Sequence, residues 1–105
     1  MEKPALNDHP IAELLARRWS PRAFSERPVG ADVVRSLLEA ARWAPSCFNE
    51  QPWSFIVATC EHPEAHERLA GCLRDSNRVW AGKAPVLMIA VSKAAFDRNG
   101  KPNRH

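Results

Sequence analysis

The stretch Ala44-Pro45-Ser46-Cys47-Phe48-Asn49-Glu50-Gln51-Pro52-Trp53-Ser54-Phe55-Ile56-Val57 constrains this chain more than any other. It joins the end of an amphipathic helical pattern to a β-branched and aromatic run through a loop stiffened by two prolines. Each proline fixes φ near about −65°. Between them lie Ser46, Cys47, Asn49 and Gln51, four side chains able to hydrogen-bond or react. Loops that carry ligands are positioned by rigid elements, and this one is anchored on both sides. The plainer reading is a well-made helix-to-strand connection.

A second segment, Arg17-Arg18-Trp19-Ser20-Pro21-Arg22-Ala23-Phe24, places cations on both sides of a hydroxyl. Arg18, Ser20 and Arg22 alternate, so an extended backbone points them the same way. Pro21 favours that backbone by pushing Ser20 out of the α region. Two guanidiniums and a hydroxyl on one edge suit a phosphate or another delocalised anion. A solvated basic turn after a short helix accounts for the same cations, which also complement the helix C-terminus.

Taken together, the Arg-x-Ser-x-Arg-x-Phe segment, a helix, and Pro-Ser-x-x-Asn-x-Gln-Pro-Trp-x-Phe-Ile-Val resemble the FMN-dependent nitroreductase family. Asn77, Trp80 and Ala84-Pro85-Val86-Leu87 resemble that family's helix leading into its second strand. The resemblance runs from about Ile11 to His105. It implies an α+β protein, a nitroreductase-like three-layer α-β-α sandwich of which this chain holds the N-terminal part. Members of the family are considerably longer, and Asn103-Arg104-His105 resembles the lead-in to their long central helix. The expectation is therefore one domain over residues 1–105, the N-terminal portion of a longer flavin-binding domain. Two strands and a few helices do not by themselves make a self-sufficient sheet layer.

The resemblance also implies site residues. Arg18 and Ser20 are expected near the FMN phosphate and ribityl chain, and Arg22 near the N1–O2 edge of the flavin, where a cation favours the reduced form. Trp19 is expected to contribute mainly through its backbone. In the family the site lies at a homodimer interface, which assigns Pro45, Ser46 and Cys47 to the partner's cofactor, with Asn49 bonding nearby. Cys47 replaces the commoner small hydroxyl residue and is a weaker donor. Asn77 is the matching candidate for a further polar flavin contact. No catalytic acid or base is required: hydride passes from NAD(P)H by way of the flavin to a nitroaromatic, a quinone or another electron-poor acceptor. A non-catalytic interaction or regulatory module that keeps part of the fold is the competing expectation.

Composition agrees with a globular, cytoplasmic domain. Hydrophobic residues make up 45% and charged residues 26%, near the globular average. The longest apolar run, Ala84 to Val91, is far short of a membrane span. The start, Met-Glu-Lys-Pro-Ala-Leu-Asn-Asp, lacks the apolar core of a signal peptide. Three cysteines, Cys47, Cys60 and Cys72, form no CxxC pair, which argues for a reducing compartment.

The net charge of +3 is spread along the chain. Its one local excess, Arg17, Arg18, Arg22 and Arg27, interleaves with Trp19 and Phe24, but nucleic-acid binding wants a continuous basic stripe. A bound anionic cofactor explains those charges with fewer assumptions. With four scattered glycines there is no GxGxxG or P-loop, so side chains must hold any nucleotide phosphate.

Periodicity supplies the elements. Ile11, Leu14 and Leu15 give a short helix capped near Asn7 or Asp8. Val33, Val34, Leu37, Leu38, Ala41 and Ala44 make the stripe of a second helix, with an Arg35–Glu39 pair on its other face and Pro45 at its end. Phe55 to Cys60 reads as a buried strand. Pro63 starts a third helix that carries Ala65, Leu69, Cys72 and Leu73 inward. A weaker helix spans Ser76 to Lys83. Val86 to Val91 is a strand whose unbroken apolar run suits cover on both faces, and Asp97 to His105 is a loop.

Cys60, His62, His66 and Cys72 do not have the spacing of a common zinc module, so no metal is expected there and the histidines are read as exposed helix residues. Cys47 has no histidine close in sequence to activate it as a nucleophile. Trp43, Trp53 and Trp80 are read as core or interface packing.

Overall fold

The computed structural model describes residues 3–95 and Gly100. The expected loop from Asp97 and the lead-in at Asn103-Arg104-His105 lie outside the described residues, Gly100 apart. In chain order come α1 (Glu13–Arg17), α2 (Ala31–Arg42), a 3-10 turn (Cys47–Asn49), β1 (Trp53–Thr59), α3 (Pro63–Ala70), α4 (Asp75–Ala81) and β2 (Val86–Ser92).

The helices follow local rules with two corrections. α1 begins after Ala12, with no side-chain cap. Asn7 instead bonds to the His9 carbonyl within its own turn, so the expected cap at Asn7 or Asp8 does not form. α2 ends at Arg42, one turn before Pro45. Its expected Arg35–Glu39 pair is replaced by Arg35 with Asp32 at 3.6 Å and Arg42 with Glu39 at 3.3 Å. Glu39 also accepts from Trp43 Nε1 at 3.2 Å, which draws its carboxylate towards the helix C-terminus and away from Arg35. Pro63 occupies the first turn of α3 as expected.

The strands form one antiparallel pair in full register, from Trp53 opposite Ser92 to Thr59 opposite Val86. Bonds from Cys60 N to Pro85 O and from Lys93 N to Pro52 O continue the ladder at its two ends. Ile56 and Ala58 face the same side as their partners Ile89 and Leu87. α3 lies against this side, where Ala65 and Leu69 line a cavity of ≈ 390 Å³ with Ile56, Ala58 and Ile89. His66, expected to be exposed, is half-buried, and its Nε2 lies 2.7 Å from the Ala84 carbonyl just before β2. An Arg78–Glu67 ion pair ties α4 to α3.

Cover over the sheet is partial, contrary to the expectation of buried strands. Ile56 is 52% and Val91 44% exposed. The reason is length: the eight residues of α3 span about 12 Å, whereas seven-residue strands run about 23 Å. Cys72 and Leu73 lie beyond α3; Cys72 is exposed, with its thiol directed to the Arg68 carbonyl at 3.5 Å. Among the described residues only Val34, Ala58, Ala70 and Ala84 are buried apolar side chains. The radius of gyration, 16.8 Å, exceeds the roughly 13 Å of a compact chain of this length. No helix among the described residues is long and apolar enough to cross a membrane.

Candidate functional site

The first candidate segment leaves α1 at Arg18, whose extended backbone (φ −69°, ψ 136°) ends the helix. Arg18 Nη1 donates to Ser20 Oγ at 3.3 Å, so alternation brings these two groups together as expected. Arg17 turns away to an i,i+4 pair with Glu13 at 3.5 Å. Among the described residues Arg18 and Arg22 form no ion pair. Both are exposed, so their charge is available to an outside anion. Trp19 is half-buried, with Lys3 Nζ 5.0 Å from its ring centre. It borders a cavity of ≈ 710 Å³ with Leu14, Leu15 and Arg18.

The segment is tied to α4 by an aromatic contact. Phe24 stacks on Trp80 with centroids 6.1 Å apart and planes 17° from parallel. Asn77 sits one turn before Trp80 on the same helix and is exposed. The stack thus brings the helix carrying Asn77 up to the end of the segment carrying Arg18, Ser20 and Arg22.

The second candidate segment, residues 45–52, is strained and internally bonded. Phe48, Asn49 and Gln51 all have positive φ, at 53°, 53° and 47°. A non-glycine residue in that region costs on the order of 1 kcal/mol. Asn49 N donates to Ser46 O at 3.0 Å and Glu50 N to Cys47 O at 3.2 Å. Ser46 Oγ accepts from Gln51 N at 3.0 Å, which leaves its own hydroxyl hydrogen free to donate outward. Cys47 and Asn49 are exposed, and Pro45 leads into the turn. Cys47 is a free thiol.

Gln51, counted from the sequence among the polar side chains of this loop but given no role there, reaches back with its side chain to the Arg42 carbonyl at 3.4 Å. The signal in the sequence was a polar side chain directly before Pro52. The other residues weighed for chemistry lie elsewhere. His62 precedes α3 and His66 faces Ala84, and no metal-binding cluster occurs among the described residues. Trp43, read as packing, is 75% exposed with the Arg42 guanidinium 5.7 Å from its ring centre.

Known proteins resemble this chain over most of its length. A profile of the nitroreductase family matches residues 15–93, which include both segments and both strands. The crystal structure of an oxidoreductase containing FMN is similar at 34% identity and a TM-score of 0.84, over 93% of this chain and 50% of that one. A hypothetical oxidoreductase, YcnD from Bacillus subtilis, is similar at 27% identity and a TM-score of 0.56, over 77% of this chain and 30% of that one. This chain therefore spans about half the length of the FMN-containing oxidoreductase it matches. No curated protein sequence matched. Through the matched residues and the similarity of fold, the chain belongs to the nitroreductase family.

Proposed function

We propose that this chain supplies the N-terminal part of the flavin cradle of an FMN-dependent oxidoreductase. The observation that carries the reading is the Arg18–Ser20 contact, at 3.3 Å, beside an Arg22 that has no ion pair among the described residues. The segment suits an FMN phosphate because an exposed guanidinium and a hydroxyl lie within bonding distance of each other, with no carboxylate bonded to them among the described residues. Support comes from family membership and from the FMN in the similar oxidoreductase.

FMN supplies the redox chemistry when bound, and the protein contributes position and electrostatics. Arg18 and Ser20 hold the phosphate end, with Trp19 joining through its backbone. Arg22 places a cation by the flavin edge that gains charge on reduction. Pro45, Ser46 and Cys47 cover the cofactor of a second subunit in a homodimer, Asn49 bonds beside it, and Asn77 adds a polar contact. NAD(P)H is the reductant, and the acceptor is a nitroaromatic, a quinone or a similar electron-poor molecule. The odd set of free cysteines supports a cytoplasmic setting.

The test is a visible absorption spectrum of the purified chain before and after incubation with FMN, with the released flavin identified after denaturation. Flavin bands that stay with the protein through gel filtration support the proposal. A protein that takes up no FMN refutes it for this chain and favours the non-catalytic interaction module, to which the exposed Ile56 and Val91 are suited.

A further inference from the structure

The loop of residues 45–52 is held at both ends through one residue, Gln51. Gln51 donates its main-chain N–H to Ser46 Oγ at 3.0 Å and its side-chain amide to Arg42 O at 3.4 Å. The first bond closes the turn on itself. The second ties the turn to the C-terminal end of α2, whose last carbonyls have no partner within the helix. Gln51 does this with its own backbone at φ 47°, next to Phe48 and Asn49 at φ 53°. Conformations of this kind persist only where surrounding bonds over-determine them. Two of those bonds, one at each end of the loop, come from Gln51.

We infer that Gln51 is a positioning residue. It fixes Ser46, Cys47 and Asn49 in the shape with which they cover the cofactor, and it acts through Ser46 and α2 instead of touching the cofactor. This rests on the reading of residues 45–49 as a cofactor cover. Ser46 is then set from two sides: its carbonyl accepts from Asn49 N at 3.0 Å and its hydroxyl oxygen from Gln51 N. Its hydroxyl hydrogen points wherever those two bonds leave it.

The test is amide hydrogen exchange on the full chain, with Gln51→Met removing the side-chain donor to Arg42 at nearly constant volume. Exchange at Asn49, Glu50 and Gln51 is expected to rise roughly fivefold, the equivalent of one modest hydrogen bond. The amides of β1 and β2 serve as the folding control and should keep their protection. FMN affinity, titrated on the same protein, should fall by a similar factor. If Gln51→Met loses strand protection as well, Ser46→Ala removes the other end of the clamp and must speed the same loop amides. Unchanged loop exchange overturns the inference, as does faster loop exchange with unaltered FMN affinity. A wild-type protein that takes up no FMN refutes the cofactor reading instead. The two failures are distinct because loop exchange is read without flavin.

Discussion

Phe24 and Trp80 lie 56 positions apart in the sequence, yet their rings stack at 6.1 Å and 17°. That contact sets the basic segment after α1 against the helix that carries Asn77, so it should matter for stability and for the proposed cofactor binding. Aromatic pairs contribute about 1 kcal/mol beyond the area they bury. A double-mutant cycle of Phe24→Ala and Trp80→Ala, followed by urea unfolding, is expected to give a coupling energy of about 1 kcal/mol. Trp80→Ala should also weaken FMN uptake; additive effects would show that the rings act independently.

The basic segment after α1 makes a sharper prediction. Arg18→Ala removes a charged donor, and hydrogen bonds to charged groups contribute about 1.5–3 kcal/mol. FMN affinity should fall at least about tenfold, with riboflavin, which lacks the phosphate, losing little. Ser20→Ala is expected to cost less. Arg22→Ala should instead shift the flavin midpoint potential downwards, measured by dye-coupled reduction, because a cation by the reducible edge is gone.

His66 predicts a stability effect unrelated to the cofactor. Its ring bonds to the Ala84 carbonyl at 2.7 Å and joins α3 to the start of β2. His66→Ala should destabilise the fold by about 1 kcal/mol, read as a lower urea midpoint with an unchanged slope. An unchanged midpoint would show that α3 is held by its apolar side alone.

Two glycines should respond in opposite senses. A Cβ at Gly82 would stand 2.7 Å from the Arg78 carbonyl, so Gly82→Ala is expected to cost about 1–3 kcal/mol through forced backbone movement. Gly30 precedes α2 without a side-chain cap, and a Cβ there meets nothing within 4 Å. Gly30→Ser supplies a capping hydroxyl and should raise stability by a few tenths of a kcal/mol. Thermal unfolding of both variants checks the pair.

Much of the local structure was legible because it follows from neighbours in sequence. Pro63 opens α3, the Val34–Leu38 stripe makes α2, and the Val86 run makes β2. The Arg18–Ser20 contact was legible for the same reason, being two residues apart. The failures share a cause too. Asn7 capped its own turn, and Glu39 chose Arg42 and Trp43 over Arg35, since several partners of similar strength competed within a few ångströms. His66 looked like a surface helix residue until β2 brought Ala84 to it.

Turn chemistry and periodicity act over a few residues, so the helices, the strands, the basic motif and the proline-bounded loop between them could be read along the chain. That Phe24 meets Trp80, that the strands pair antiparallel with one short helix on one side, and that Gln51 bonds the loop to α2 emerged only in the folded chain. Such contacts join groups separated by many residues or by a strained turn. Their geometry depends on how whole elements pack, which no local pattern encodes.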